Sequence, residues 1–163
     1  MTTKKISVEN SYEKFEVGQV FKHHWGRTIA ESDNVLFTTL TMTFNPMYFN
    51  KEYAKRFAHD SVVVNPLLVF DVILGLSVED LSEGGGPFLG VDNLTFHKPV
   101  YPGDTLYAES VVIDKRESKS RPDYGIVGWK TVGKNQKGDI VLEYERRNLV
   151  PRRKTENYLA SKK

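Results

Sequence analysis

The stretch Asn65-Pro-Leu-Leu-Val-Phe-Asp-Val-Ile-Leu-Gly-Leu-Ser-Val-Glu-Asp-Leu81 decides how the rest of the chain must be arranged. Asn65 carries the side chain of an N-cap, which accepts a hydrogen bond from the first helical turn. Pro66 follows at the first helical position, where a missing N–H costs nothing and the fixed φ already suits a helix. From Leu67 to Val78 apolar residues occupy nearly every side of the cylinder, interrupted by Asp71 alone among charged residues. A helix that is apolar all round is a buried helix. The run is too short and too interrupted to cross a membrane, which takes about 20 apolar residues. The stretch therefore predicts one central helix over 65–81, wrapped by whatever the rest of the chain supplies.

What the chain supplies is mostly strand. Phe88–Val100, Thr105–Arg116, Tyr124–Val132 and Asp139–Val150 are extended segments separated by Pro-Gly-Asp (102–104), Arg-Pro-Asp (121–123) and Lys-Gly-Asp (137–139). In the last segment Ile140, Leu142 and Tyr144 alternate with Glu143, Glu145 and Arg147, the period-2 pattern of a strand with one face buried. Short connections favour antiparallel neighbours, so the segments read as a meander. The expected fold is α+β, one antiparallel sheet around a central buried helix.

Ahead of the central helix, Val20–Ile29 reads as a strand. His23 and His24 are neighbours in it and point to opposite faces, so they do not form a metal site. Ser32 is placed to cap a short helix through Leu40, and Asn50 to cap a second carrying Tyr53 and Phe57. Thr43-Phe-Asn-Pro46 breaks the chain between them, because the residue before a proline is pushed out of the helical region. The run Ser82-Glu-Gly-Gly-Gly-Pro87 has no strand before it and no helix after it, so it is a loop and not a phosphate cradle.

Length and composition narrow the function class. The 163 residues make one domain, with a core over about 15–152 and polar tails on either side. The formal charge of +2 is too balanced for a nucleic-acid binder, and the basic runs near Lys115–Arg121 and Arg146–Lys163 read as solvated faces or tail. There is no cysteine, hence no disulfide, thiolate metal site or cysteine nucleophile. Met1–Phe15 has no apolar core for a signal peptide, and the expected location is cytoplasmic, away from membranes.

Several segments taken together resemble a known family. Thr-Phe-Asn-Pro-Met-Tyr-Phe-Asn (43–50), the helix with Tyr53, Ala54 and Phe57, and Val-Val-Asn-Pro-Leu-Leu (63–68) resemble the hydratase segment of the MaoC-like (R)-specific enoyl-CoA hydratases. Phe-His-Lys-Pro-Val-Tyr-Pro-Gly-Asp-Thr (96–105) resembles the strand–turn–strand marker of that family. Asp-Asn-Val-Leu-Phe (33–37) and Arg116–Val127 resemble the branch of mesaconyl-CoA hydratase, also called methylmalyl-CoA dehydratase. The resemblance implies a hotdog fold, subunits paired as a homodimer or higher oligomer, and an acyl-CoA thioester as ligand. Coenzyme A would be part of the substrate, with no further cofactor.

The family pattern is Asp-x-Asn-Pro-Leu-His, in which the Asp and His hold the water that adds across the enoyl double bond. Here Asn45 and Pro46 match, whereas Thr43 stands at the Asp position and Tyr48 at the His position. A glycine N–H at the start of the central helix steadies the thioester enolate in the family; Pro66 stands there and has no N–H. The implied catalytic positions are thus Thr43, Asn45 and Tyr48, and the implied substrate-binding residues are Asn65, Pro66, Arg116 and Arg121, the arginines (with Lys119) for the coenzyme A phosphates. Tyr48 is either an oxyanion donor or a packed replacement for the histidine. Asp71, the pair His59 and Asp60, and His97 are further titratable candidates, with gap-filling, a surface turn and a core or edge strand position as their plain readings. Three functions follow: a hydro-lyase on enoyl- or 3-hydroxyacyl-CoA with altered catalytic positions, a non-catalytic acyl-CoA-binding or scaffold subunit, or a thioesterase.

Overall fold

The computed structural model describes residues 10–153; the outer parts of the expected tails, 1–9 and 154–163, lie outside the described residues. The central helix forms where the sequence places it. Asn65 Oδ1 accepts the Leu67 N–H at 3.0 Å and α3 (Pro66–Leu76) follows. Before it come β1 (Val20–Lys22), β2 (Arg27–Thr28), α1 (Glu31–Leu40) and α2 (Lys51–Lys55); after it α4 (Val78–Leu81), β3 (Phe88–Phe96), β4 (Thr105–Glu117), β5 (Tyr124–Lys134) and β6 (Ile140–Pro151). All strand pairs are antiparallel, and the order is β1-β4-β5-β6-β3 with β2 also on β4.

The expected α+β architecture is present, with five corrections in detail. The helix does not run unbroken to Leu81: it ends at Leu76, Ser77 turns the chain, and α4 is a single further turn. Nor is it buried all round. Leu68, Val69 and Ile73 are buried, while Leu67, Asp71 and Gly75, four apart, form an exposed stripe. The four long strands are not one meander. β4, β5 and β6 are, but β3 crosses to the far side and pairs with β6, leaving β3 at the sheet edge. The segment 20–29 is two short strands broken at His23–Gly26. There His23 turns inward, its Nδ1 2.6 Å from Asp80 Oδ2 and its Nε2 2.9 Å from Ser110 Oγ. Finally, α1 is capped by Asp33 reaching back to the Ala30 N–H at 3.0 Å, not by Ser32.

The inner face of the sheet holds two apolar clusters. One lies under α3 and joins Val64, Leu68, Val69 and Ile73 to Val100, Leu106, Ala108, Leu142 and Tyr144. Gly133 allows the helix this close, since a Cβ there would lie 2.8 Å from Ile73 Cδ1. The other gathers Tyr12, Phe15, Leu81, Val112, Val127, Trp129 and Val150. Between them Ser110 and Thr131 share a buried hydrogen bond of 2.8 Å, continuing the string from Asp80 through His23. Each large apolar side chain so buried contributes about 1.5–3 kcal/mol. Two basic or polar stretches expected at the surface are inside: Ser11 and Tyr12 near the start, and Arg146, 1% exposed with its guanidinium 5.3 Å from the Trp129 ring centre.

Candidate functional site

The N-terminus of α3 is where three segments distant in sequence are laced together. Asn45 Oδ1 accepts the Met47 N–H at 3.0 Å and so starts a 3-10 turn over Pro46–Tyr48. The Met47 carbonyl accepts from Val63 N–H at 2.9 Å, and the Val100 carbonyl from Val64 N–H at 2.8 Å. The hub of this lacing is Asn34 on α1, which has no exposed surface. Its Nδ2 donates to the Tyr48 carbonyl at 2.7 Å and the Val63 carbonyl at 3.0 Å, and its Oδ1 accepts the Asn65 N–H at 2.7 Å. One buried amide side chain thus fixes the turn bearing Tyr48 against the start of the central helix.

Between that turn and the segment Phe96–Val100 lies an open cavity of about 330 Å³. Asn45, Met47, Tyr48 and Pro66 line one part, Phe96, His97 and Lys98 another, and Val63, Val64, Val69 and Val100 contribute apolar surface. The Tyr48 hydroxyl has no protein hydrogen-bond partner among the described residues, and burial raises its pKa above the ordinary phenol value. It therefore stays protonated at neutral pH, a donor and not a base. Phe44 is exposed and Phe70 packs edge-on against the Tyr144 ring, so neither closes the cavity.

The sequence-derived site residues divide into three groups. Asn45, Tyr48 and Pro66 reach the cavity wall. Thr43 and Asn65 do not line it and are held by each other: Asn65 Nδ2 donates to Thr43 Oγ1 at 2.8 Å, and Thr41 Oγ1 lies 2.8 Å from Thr43 Oγ1. Because Asn65 Oδ1 also takes the Leu67 N–H, neither Pro66 nor Leu67 has a backbone donor to offer a ligand. Arg116 and Arg121 sit at and near the β4–β5 hairpin, at the end of the sheet away from this cavity within one chain, and do not line it.

Other candidates are accounted for elsewhere. His59 Nδ1 lies 2.8 Å from the Tyr101 hydroxyl in the turn before α3, and Asp60, beside it in sequence, helps raise the Tyr101 pKa behind the larger effect of burial. Asp71 lies in a second cleft, about 660 Å³, between α3 and Trp25–Arg27, where burial raises its carboxyl above the usual range. His97, read from sequence as a core or edge residue, is a cavity residue, and so is Lys98, whose Nζ pairs with Asp139 Oδ1 at 2.6 Å. Both follow directly on the end of β3 at Phe96, and no local feature of the sequence marks them as cavity residues.

The profile of the mesaconyl-CoA hydratase family matches residues 2–159. The chain belongs to that family. It is 36% identical over 143 residues to the mesaconyl-CoA hydratase of Haloarcula marismortui, covering 87% of this chain and 40% of that protein. Among solved structures, one described as a MaoC domain protein dehydratase from Chloroflexus aurantiacus superposes with a TM-score of 0.86 at 34% identity, covering 93% of this chain and 43% of that one. A conserved hypothetical protein of Mycobacterium tuberculosis with a double hotdog fold gives a TM-score of 0.79 at 22% identity, covering 91% and 46%. The fold is a hotdog, and the chain spans about two-fifths of the length of the Haloarcula hydratase and of the Chloroflexus dehydratase that it matches.

Proposed function

We propose that this chain binds an acyl-CoA thioester in the cavity beside Tyr48 and acts there as a hydratase or dehydratase on enoyl- or 3-hydroxyacyl-CoA. The observation that carries the reading is the Tyr48 hydroxyl: protonated, without a protein partner, and on the wall of a cavity at the start of the central helix. Adding water to an enoyl thioester builds negative charge on the thioester oxygen, and a preorganised donor at that oxygen is worth a few kcal/mol of barrier. Tyr48 takes the role that the family gives to a glycine N–H. The reaction is redox-neutral, so we invoke no cofactor beyond the coenzyme A of the substrate. The apolar valines accept the acyl group, and Arg116 and Arg121 are assigned to the coenzyme A phosphates of a site shared with another subunit.

A second hotdog unit suits the surface. The unpaired edge of β3, with Phe88, Leu89 and Phe96 exposed, is a strand edge with apolar surface that wants cover, and the Leu67–Asp71–Gly75 stripe of the helix is uncovered as well. We assign a homodimer as the smallest assembly, and the cytoplasm as its compartment. No helix among the described residues is long and apolar enough to cross a membrane, and a chain without cysteine suits reducing conditions.

One observation favours the non-catalytic reading, in which acyl-CoA is bound and released unchanged: Thr43 and Pro66 offer neither base nor backbone donor. The test runs both measurements on one preparation. Calorimetry with short, branched and medium acyl-CoAs should show saturable binding that weakens with salt. Loss of the enoyl absorbance of crotonyl-CoA and mesaconyl-CoA should show turnover. Binding without turnover favours the non-catalytic subunit, and no binding removes the acyl-CoA reading altogether.

A further inference from the structure

The second cleft, of about 660 Å³, shares no lining residue with the cavity beside Tyr48. Its long wall is one stripe of helix. Leu68, Asp71, Val72, Gly75, Leu76 and Glu79 recur at the three- and four-residue spacing that places side chains on a single helical face. Trp25 forms the opposite wall, and a hydrogen bond of its own places the indole: Nε1 donates to Glu79 Oε2 at 3.2 Å. We propose that this cleft binds an organic cation, a compact apolar body carrying one ammonium group, at a site separate from the acyl-thioester cavity. Its volume falls in the range of about 300–1,000 Å³ usual for small-ligand sites.

The charges select a cation. Asp71 stands among the apolar side chains of the stripe and has no hydrogen-bond or ion-pair partner among the described residues. A carboxylate partly out of water and without a partner is stabilised by a positive charge beside it. Glu79 adds a second negative charge. Arg27, the one cation on the wall, is drawn aside by Asp33, its Nη2 3.2 Å from Oδ1. The cleft therefore disfavours the phosphates of an acyl-CoA and favours an ammonium group. Trp25, 61% exposed, adds an indole face, the aromatic surface that attracts cations best.

Gly75 is the independent sign of an occupant. Glycine is unfavourable inside a helix, yet a Cβ at Gly75 would meet no atom within 4 Å. Its φ is not in the left-handed region either. Neither backbone conformation nor close packing within the chain calls for a glycine there; what its missing side chain leaves is depth in the cleft. The site also stays open in a pair formed along β3. The cleft adjoins Trp25–Arg27, where β2 pairs with β4, and β3 is the opposite edge of the sheet.

Of the two tryptophans Trp129 is fully buried and Trp25 exposed, so intrinsic fluorescence reads the cleft. Three probes of one shape and different charge are titrated: cyclohexylmethylamine, cyclohexylmethanol and cyclohexanecarboxylate. The amine, protonated at neutral pH, should change the emission saturably and bind about tenfold or more tighter than the alcohol, with the carboxylate weakest. Asp71→Asn should abolish the preference for the amine over the alcohol without lowering the melting temperature. Gly75→Gln fills the cleft from the helix and should weaken the amine about tenfold or more in a protein that melts no lower than wild type. Calorimetry with butyryl-CoA should give the same result with and without saturating amine. A change that never saturates, equal affinity for the three probes, or a preference that survives Asp71→Asn overturns the assignment. Displacement of the amine by butyryl-CoA also overturns it, because the cleft then belongs to the thioester site. The competing occupant is a second copy of this chain: a wild-type dimer that Gly75→Gln turns into a monomer in sedimentation makes this flank an interface and removes the ligand site.

Discussion

Replacing Asn34 by Ala tests whether one buried amide holds the Tyr48 turn to the central helix. The substitution removes three hydrogen bonds at once, to the Tyr48 and Val63 carbonyls and from the Asn65 N–H. The bonds to Val63 and Asn65 are buried, so those backbone groups lose their partners without gaining water, at about 1–3 kcal/mol each. The Tyr48 carbonyl is part-buried and is partly rehydrated, which limits its share to about 1 kcal/mol. Allowing for relaxation, the loss comes to about 3–5 kcal/mol, a large fraction of the 5–15 kcal/mol typical of a domain. With a urea slope of about 2 kcal/mol per molar, the midpoint should fall by roughly 1.5–2.5 M. Asn34→Asp sharpens the test, because a carboxylate at that position turns acceptors toward two carbonyls and should cost at least as much at pH 7. Asn50→Ala is the control: Asn50 is an exposed cap, its Oδ1 taking the Tyr53 N–H, and should cost only about 0.5–2 kcal/mol. Urea denaturation followed by far-UV circular dichroism measures all four proteins. A midpoint within about 0.5 M of wild type for Asn34→Ala, or an Asn34→Asp protein as stable as the parent, would refute the hub.

Three further outcomes follow from the packing and the charges. Gly133→Ala should destabilise by about 1–3 kcal/mol through overpacking against Ile73, and Ile73→Val in the same chain should recover part of that because Cδ1 is removed; thermal melts of the single and double variants decide it. Tyr48→Phe should leave acyl-CoA affinity in calorimetry within about threefold yet slow crotonyl-CoA hydration about 10²–10³-fold, the usual effect of losing an oxyanion donor; unchanged turnover would place the carbonyl elsewhere. The Asp33 carboxyl is held below its ordinary range, chiefly by the Ala30 N–H and then by Arg27. Its stabilisation of α1 should therefore be complete above the unfolded value of about 3.9 and lost as pH falls through the folded value. The stability gap between wild type and Asp33→Ala at pH 7, about 0.5–2 kcal/mol, should shrink near pH 3, and a gap constant with pH would show that the carboxylate is not what caps the helix.

The sequence by itself determined whatever is settled within a few residues of chain. Asn65-Pro66 starts the central helix because a side-chain acceptor and a pre-set φ act on the very next turn, and the structure has that cap. Asn45 and Asn50 act in the same local way, and the alternation along Ile140–Arg147 reports a two-sided strand whatever its neighbours are. The four segments about the Pro-Gly-Asp and Lys-Gly-Asp turns, and with them the α+β sheet around a helix, followed from the same short-range physics. The resemblance carried by residues 43–50, 63–68 and 96–105 added the hotdog and the family. The tertiary structure decided what depends on partners far along the chain. β3 pairs with β6 and not with β4, because the free energy of a strand pair lies in cross-strand side chains and burial that no local pattern records. The helix stops at Ser77, where α4 turns onto Phe15 and Trp129, and an exposed stripe remains on a helix whose composition alone reads as buried. His23 turns inward to meet Asp80, 57 positions away, and Asn34 grips Asn65, 31 positions away. The segment after β3 joins Tyr48 on the cavity wall for the same reason: His97 and Tyr48, 49 apart in sequence, line one cavity only because packing brings their segments together, and local propensity carries no information about that meeting.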